Sequence, residues 1–178
     1  MRLKSLLICA VSLYLVAANP VTAQRKNPCA LPPNLREEIS KKYPGASVVS
    51  LADLDDYDRK LFQKDHGSRC PGLVKVDFYG DGKPTWALVL VGSGQLSQRK
   101  AELVVARQAR EGWELRLVDT ADASSPVVWR QGPGKYEGMS EPSPIRAAHQ
   151  VLVFCGYGSW AILYAWTGKE VVKTWISD

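Results

Sequence analysis

Apolar and polar residues alternate with a period of two from Leu73 onward, and this pattern constrains the fold more than any other feature of the chain. In residues 73–78 every second side chain is valine or phenylalanine, whereas Lys75 and Asp77 lie between them. This spacing places successive side chains on opposite faces of a β-strand and does not fit a helix. Residues 86–91 are all apolar, as expected for a central strand with two buried faces.

Similar patterns continue to the C terminus and predict a β-rich domain. Further strands are predicted at 103–107, 113–118, 127–129, 151–155, 160–166 and 170–176, with hairpin turns at 109–112 and 167–169. Apart from 127–129, residues 120–148 are rich in Pro, Gly and Ser and are predicted to be the longest irregular segment. We therefore expect an α+β fold, in which an antiparallel β-meander of about eight strands forms a curled sheet or a sandwich.

One or two helices are predicted before the strands, covering one face of the sheet. Asn34 is a candidate N-cap for a helix over 35–42, and Asp53 or Asp55 for a second short helix. Four acids in 53–58 also permit cation binding, although acids at the start of a helix commonly stabilise its positive end. Residues 63–72 are predicted to be a loop in which His66 is exposed.

The N terminus has the features of a secretory signal peptide. Two basic residues, Arg2 and Lys4, precede a short apolar run over 6–18, and small residues lead to Ala23. The sequence predicts a signal peptide over 1–23 and a single β-rich exported domain over 24–178, which is secreted or periplasmic. An uncleaved membrane anchor is the alternative, but the run is shorter than the roughly 20 residues that span a bilayer. No later segment of the sequence is predicted to span one.

The charge and its distribution do not suggest a polyanionic partner. The chain carries a formal charge of +5, which falls to about +3 once Arg2 and Lys4 are removed, and its basic residues are scattered. We expect a protein or cell-envelope ligand, no nucleic acid and no cofactor.

Three cysteines remain after the signal peptide: Cys29, Cys70 and Cys155. An odd number in an oxidising compartment suggests one disulfide and one free thiol. Because Cys29 and Cys70 both lie in irregular segments, where a disulfide reaches its geometry without bending a sheet, we predict that they pair and that Cys155 stays free. Sequence alone leaves the other two pairings open.

The segment 77–82, Asp-Phe-Tyr-Gly-Asp-Gly, is similar to a calcium-binding loop. Asp77 and Asp81 occupy the first and fifth positions, but Tyr79 and Thr85 replace the third and ninth ligands. We therefore interpret Asp77 and Asp81 as a vestigial metal site and the segment as a hairpin turn. The segment resembles the Asp-rich loop of FG-GAP proteins and that of small uncharacterised exported bacterial proteins, which also end in a hairpin like residues 164–169.

No catalytic constellation is predicted. Cys155 lies in an apolar strand, where a thiol is commonly inert, and the residues around Ser159 lack the Gly-x-Ser-x-Gly pattern. Trp129 and Trp160 border loops and are the predicted binding residues, whereas core burial is expected for Trp86, Trp113, Trp166 and Trp175.

These features favour an exported, non-enzymatic binding or interaction module, which includes inhibitor- or immunity-like proteins. The alternatives are a secreted hydrolase whose site assembles only in space, and a structural module with a degenerate calcium loop.

We predict that the exported chain begins at Gln24, because the charged start, the apolar run and Ala23 together match the requirements of signal peptidase. N-terminal sequencing should read Gln24-Arg25-Lys26. Recovery of the chain from a membrane fraction with Met1 retained would show that the segment is an anchor.

Overall fold

The computed structural model describes residues 27–92, 100–122, 124–139 and 143–177, so the predicted signal peptide lies outside the described residues. The helices are α1 (Pro33–Lys42), α2 (Asp56–His66) and a 3-10 turn (Leu51–Asp53). The strands are β1 (Ser47–Val48), β2 (Leu73–Val76), β3 (Thr85–Val91), β4 (Lys100–Ala109), β5 (Gly112–Asp122), β6 (Pro126–Gln131), β7 (Gly134–Tyr136), β8 (Ile145–Ala147), β9 (Val151–Gly156), β10 (Trp160–Trp166) and β11 (Val171–Ser177). No helix within the described ranges is long and apolar enough to cross a membrane.

The strands form two main antiparallel sheets. In the first sheet the order is β1-β3-β4-β5, and β2 shares with β1 one edge of β3. In the second sheet the order is β11-β10-β9-β6, and a separate ribbon pairs β7 with β8. The expected α+β fold with an antiparallel meander is therefore confirmed.

The two sheets pack face to face, and the helices lie outside them. Alternate residues of β3 and β4, such as Val89 and Leu103, point inward to the second sheet, whereas Leu88 and Val104 point outward and pack on Leu35 of α1. These two buried faces explain why β3 is continuously apolar.

Helix α2 lies against the outer face of the second sheet, where Phe62 contacts Tyr157. The prediction that both helices cover one face of one sheet is wrong, because each helix covers a different sheet.

Local signals located α2 correctly but not the start of α1. Asp55 is the N-cap of α2, and its carboxylate accepts a hydrogen bond from the backbone N–H of Asp58 at 2.9 Å. The prediction of Asn34 as a cap is wrong, since α1 begins at Pro33, two residues before the predicted start, and its N-cap is Pro32. Proline suits the first turn because it has no N–H to satisfy. The loop predicted over 63–72 is also partly wrong, because α2 continues to His66 and ends at Gly67, whose φ is 68°.

The segment predicted to be irregular contains three strands. The predicted strand at 127–129 extends over the whole of β6, and β7 and β8 form a short ribbon. Glycine and proline in this segment, such as Pro126 and Gly134, lie at strand starts, where they do not interrupt a ladder. Their frequency therefore gave a misleading signal for a loop.

Val49 is the centre of a junction where three segments meet. Its N–H donates to Val89 O at 3.0 Å, Gly72 N–H donates to Val49 O at 3.0 Å, and Val89 N–H donates to Gly72 O at 2.9 Å. A side chain at Gly72 would place its Cβ 2.7 Å from the backbone N and O of Val49. Only glycine therefore allows the start of β2 to approach this closely.

The Cys29–Cys70 disulfide lies at this junction, with a Cα–Cα distance of 5.0 Å. It joins residues 41 positions apart and ties the segment before α1 to the start of β2. By loop entropy it stabilises the fold by about 3–4 kcal/mol, a model-dependent value. The structure confirms both the predicted pairing and the predicted free thiol of Cys155, which is buried.

A β-bulge in β5 positions a side chain that links the two sheets at the edge opposite the disulfide. Leu117 pairs with Val104 and Asp119 with Leu103, so Val118 is an extra residue without a partner. The bulge turns Asp119 to the inner face, where it accepts hydrogen bonds from Tyr164 at 2.6 Å and Lys173 at 2.7 Å.

We predict that Gly72→Ala destabilises the protein by about 1–3 kcal/mol, as inserting an extra methyl group into a well-packed site does. Gly92→Ala is the matched control, since a Cβ there meets no atom within 4 Å. Thermal or urea unfolding should show a clear loss for Gly72→Ala and almost none for Gly92→Ala. Equal stability of the two variants would mean that Val49 moves away without cost.

We predict that Asp119→Asn lowers stability at neutral pH by about 1–2 kcal/mol, because a hydrogen-bonded charge is removed. Burial favours a raised pKa for Asp119, but the hydrogen bonds from Lys173 and Tyr164 outweigh it and hold the pKa below the ordinary 3.8. The stabilisation is therefore complete above about pH 3.8 and is lost as the pH falls through the lowered pKa.

Thermal unfolding across pH 2–7 should show the wild-type and Asp119→Asn curves converging at the acidic end. Glu111→Gln, at the exposed turn between β4 and β5, removes one charge without breaking these bonds and should show no such convergence. A constant difference at all pH values would contradict the proposed role of the charge.

Candidate functional site

A groove of about 720 Å³ opens where the edges of the two sheets meet, beside the disulfide. We call it the basic groove; its walls come from α2, β2, β6 and the segment around Cys70. It is lined by Pro28, Phe62, His66, Ser68, Arg69, Cys70, Leu73, Val74, Lys75, Val128, Trp129 and Arg130.

The two strands that flank the basic groove meet at one end and separate at the other. Val128 N–H donates to Pro71 O at 2.8 Å and joins the sheets at the base. Farther along, the Arg130 guanidinium bridges the gap by donating to Lys75 O at 3.0 Å. In an antiparallel ladder the backbone groups of alternate residues point away from the partner strand, so Leu73 and Lys75 direct theirs toward the groove.

An aromatic cluster forms one wall. The His66 ring lies 4.7 Å from Phe62 and 5.5 Å from Trp129, measured between centroids, and Tyr157 packs edge-on against all three. The prediction that His66 is exposed is wrong, because α2 extends far enough to press its ring on Trp129. Burial lowers the pKa of His66 below its ordinary 6.5, and Arg69 adds to this effect while Asp65 opposes it. His66 is therefore mainly neutral at pH 7.

The remaining wall is cationic. Arg69, Lys75 and Arg130 line the groove, and none of them forms a salt bridge with a carboxylate in the described parts of the chain. Lys75 also lies 4.2 Å from the centroid of the Trp86 ring, which holds its long side chain extended over the sheet. The groove is thus lined by three basic residues and an indole, and no carboxylate lines it.

Trp129 and Trp160, the two predicted binding residues, are not brought together. Trp129 pairs with Val153, which pairs with Leu163, and Trp160 lies three residues from Leu163 on the same strand. The two side chains therefore project from opposite faces of the second sheet. Trp129 lines the basic groove, whereas Trp160 lines a different groove near β5.

The expectation of core burial for the other four tryptophans is wrong. Trp86, Trp113 and Trp166 are only partly buried, and 44 % of Trp175 is exposed. An indole is too large for the narrow space between tightly packed sheets, and smaller residues such as leucine and valine fill it instead.

Of the two predicted metal residues, Asp81 is engaged by the protein, whereas one carboxylate oxygen of Asp77 is not. Asp81 accepts hydrogen bonds from Lys83 N–H and the Arg107 guanidinium, both at 3.0 Å. Asp77 N–H donates to the side chain of Gln150 at 2.8 Å, while its Oδ1 is buried without a hydrogen-bond partner. No group of three or more His, Cys, Asp or Glu residues suited to a metal ion occurs within the described ranges.

Other residues of this loop serve packing. Gly80 has a φ of 70° and lies against His149, whose ring would collide with any Cβ at this position. Tyr79 stands where a third calcium ligand is expected, and it packs edge-on against Trp166 at 5.2 Å and beneath Arg107. An aromatic ring therefore holds the loop on the end of β10.

Cys155 is not poised for nucleophilic chemistry. Its side chain is buried on the face of the second sheet that α2 covers, and burial first, then the charge of Asp58, raise the pKa of the thiol. A thiol in this state is protonated at neutral pH and reacts poorly. The nearest atoms to a Cβ at Gly80 belong to His149, so this imidazole lies at the loop after β2.

Sequence reasoning did not find the basic residues of the groove. Arg69, Lys75 and Arg130 come from three separate segments, and they become neighbours only when the sheet edges meet. The exposed position of Lys75 between two apolar residues was visible in the sequence, but that pattern describes every solvent-facing strand residue.

Comparison with protein-family models, curated proteins and solved structures finds no match to this chain. The resemblance to FG-GAP-like exported proteins therefore stays a prediction. Any functional interpretation depends on the geometry described above.

We predict that calcium does not stabilise the protein, because Tyr79 and Thr85 replace ligands and Asp81 pairs with Arg107. Unfolding temperatures in calcium and in chelator should coincide. If the site were intact, calcium at 100 times its Kd would instead raise the free energy of unfolding by about 2.7 kcal/mol. A calcium-dependent increase that disappears in both Asp77→Ala and Asp81→Ala would restore the metal site and give the unpartnered Asp77 oxygen its ligand.

Proposed function

We propose that this protein is an exported, non-enzymatic binding module whose basic groove binds an anionic segment of a protein or cell-envelope ligand. The observation that supports this most directly is the grouping of Arg69, Lys75 and Arg130 around Trp129 without a paired carboxylate. Basic residues without a carboxylate partner, beside an aromatic wall, are able to form both electrostatic and apolar contacts with a ligand.

The chemistry of the lining indicates what the ligand must contain. Arginine guanidinium groups bind carboxylates or phosphates through two parallel hydrogen bonds, so Arg69 and Arg130 favour a planar or tetrahedral anion. Trp129 and the neutral His66 ring favour a flat or apolar group beside that anion. A segment in which acidic and aromatic residues alternate meets both requirements.

The two strand edges add a way to recognise a polypeptide. The backbone groups of Leu73 and the N–H of Lys75, which face the groove, can bond to an extended chain, while the cationic side chains select its acidic residues. An inhibitor- or immunity-like protein would use such a groove to hold an acidic loop of its partner. Because each exposed charge pair is worth only about 0.2–1 kcal/mol, affinity should depend on several contacts together and fall with salt.

A peptide titration of the purified protein tests this proposal. The probe is a blocked hexapeptide of alternating glutamate and phenylalanine, and the matched probe replaces each glutamate with lysine. Binding is followed by the NMR signal of the Trp129 indole N–H, assigned from its loss in Trp129→Phe. We expect the acidic peptide to shift this signal and the basic peptide to leave it unchanged.

The test variant is Arg69→Glu/Arg130→Glu, which should weaken binding by about tenfold or more, equivalent to about 1.4 kcal/mol. The control is Arg110→Glu/Lys169→Glu, which makes the same charge change at two exposed turns. Equal weakening in both variants would show only a general charge effect. Absence of any shift with the acidic peptide would contradict the proposal.

A further inference from the structure

A second groove, of about 280 Å³, lies at the side of the sandwich opposite the basic groove. We call it the tryptophan groove; it opens between β5 of the first sheet and β10 and β11 of the second. It is lined by Asp119, Thr120, Ala121, Asp122, Trp160, Ile162, Lys173 and Trp175. None of these residues lines the basic groove, so a ligand here is independent of the proposed function.

Two indole rings form a corner in this groove. The Trp160 and Trp175 centroids are 5.8 Å apart and their planes are inclined at 62°. Phe154 packs edge-on behind Trp160 at 5.4 Å and fixes its orientation, whereas 44 % of Trp175 is open to solvent. Two partly exposed indoles that meet at an angle offer a ligand one flat apolar face and an adjoining side wall.

Hydrogen bonds within the protein hold a polar group, the carboxylate of Asp119, in place beside this corner. The bulge at Val118 turns Asp119 into the groove, and Tyr164 and Lys173 hold its carboxylate in place. Asp122 and Thr120 stand at the same rim. Bulges commonly aim a side chain in this way beside binding sites.

The mixture of charges selects the kind of ligand. Lys173 neutralises Asp119 and repels a cation, which weakens the attraction that an indole corner otherwise has for ammonium groups. Asp119 and Asp122 repel an anion. A neutral ligand avoids both penalties, and it can accept hydrogen bonds from Lys173 while donating hydroxyl protons to the carboxylates.

The ligand must also have a flat apolar face that contacts the indoles, several hydroxyl groups and a small size. The groove is slightly smaller than the roughly 300–1,000 Å³ of sites for drug-sized molecules, so it accommodates a single ring. We propose that the tryptophan groove binds one unit of a neutral saccharide, with the C–H face of the sugar ring on the indoles and its hydroxyl groups on Asp119, Asp122 and Lys173.

The test follows the indole N–H signals of Trp160 and Trp175 by NMR during titration with cellobiose, maltose and N,N′-diacetylchitobiose. Glucuronate and choline are the charged probes. We expect at least one neutral disaccharide to shift both signals with saturation in the millimolar range, while Trp129 does not respond. The charged probes should bind at least tenfold more weakly.

Trp175→Ala should abolish the saturable shift of Trp160, and it removes a side chain that is already nearly half exposed. Tyr57→Ala is the control, since Tyr57 is a 74 % exposed aromatic residue on α2. Failure of all three disaccharides to shift either indole would overturn the proposal, and so would tighter binding of choline. Either result would leave the acidic-peptide test of the basic groove unaffected.

Discussion

The hydrogen bonds around Val49 are the constraint on which most of the structure depends. Through them the residue after β1, the start of β2 and the centre of β3 become one unit, which the disulfide secures. Pro71, the residue before Gly72, connects this unit to the second sheet, because its carbonyl oxygen accepts a hydrogen bond from the Val128 N–H. The basic groove opens just beyond that bond, so its width is set by backbone geometry and by the small size of Gly72.

The two grooves occupy the two edges at which a pair of open sheets must end. At one edge, β2 and β6 meet and then diverge, leaving polar backbone and cationic side chains at the surface. At the other edge, Asp119 crosses from β5 to Tyr164 and Lys173, and the indoles of Trp160 and Trp175 lie outside that tie. A sandwich that is not a closed barrel has grooves where its strands lack partners, and the two grooves of this protein differ in the residues that line them.

Structural features that depend on only a few neighbouring residues were predictable from the sequence. The alternation in 73–78, the apolar run of β3 and the capping aspartate Asp55 all act over a few residues, and the structure confirms them. The disulfide was also predictable, because Cys155 falls within a strand and the other two cysteines do not.

Features that depend on how distant segments meet were not predictable from the sequence. Strict alternation places Asp119 on the same face as Leu117, and only the unpaired Val118 reverses this. The stacking of His66 on Trp129 requires α2 to extend beyond its predicted end and to lie on the second sheet. The glycines and prolines of 120–148 resembled a loop because composition does not distinguish strand ends from loop interiors.

The bulge at Val118 also makes the lining of the tryptophan groove depend on the length of β5. Since Trp113 and Leu115 precede it and pack toward α1, losing one residue at the bulge would leave that contact intact and rotate only the distal part of β5. The residues that line the tryptophan groove therefore depend on the number of residues in β5 as well as on their identity. A single-residue deletion in β5 would thus change the lining of the tryptophan groove while leaving the packing against α1 in place.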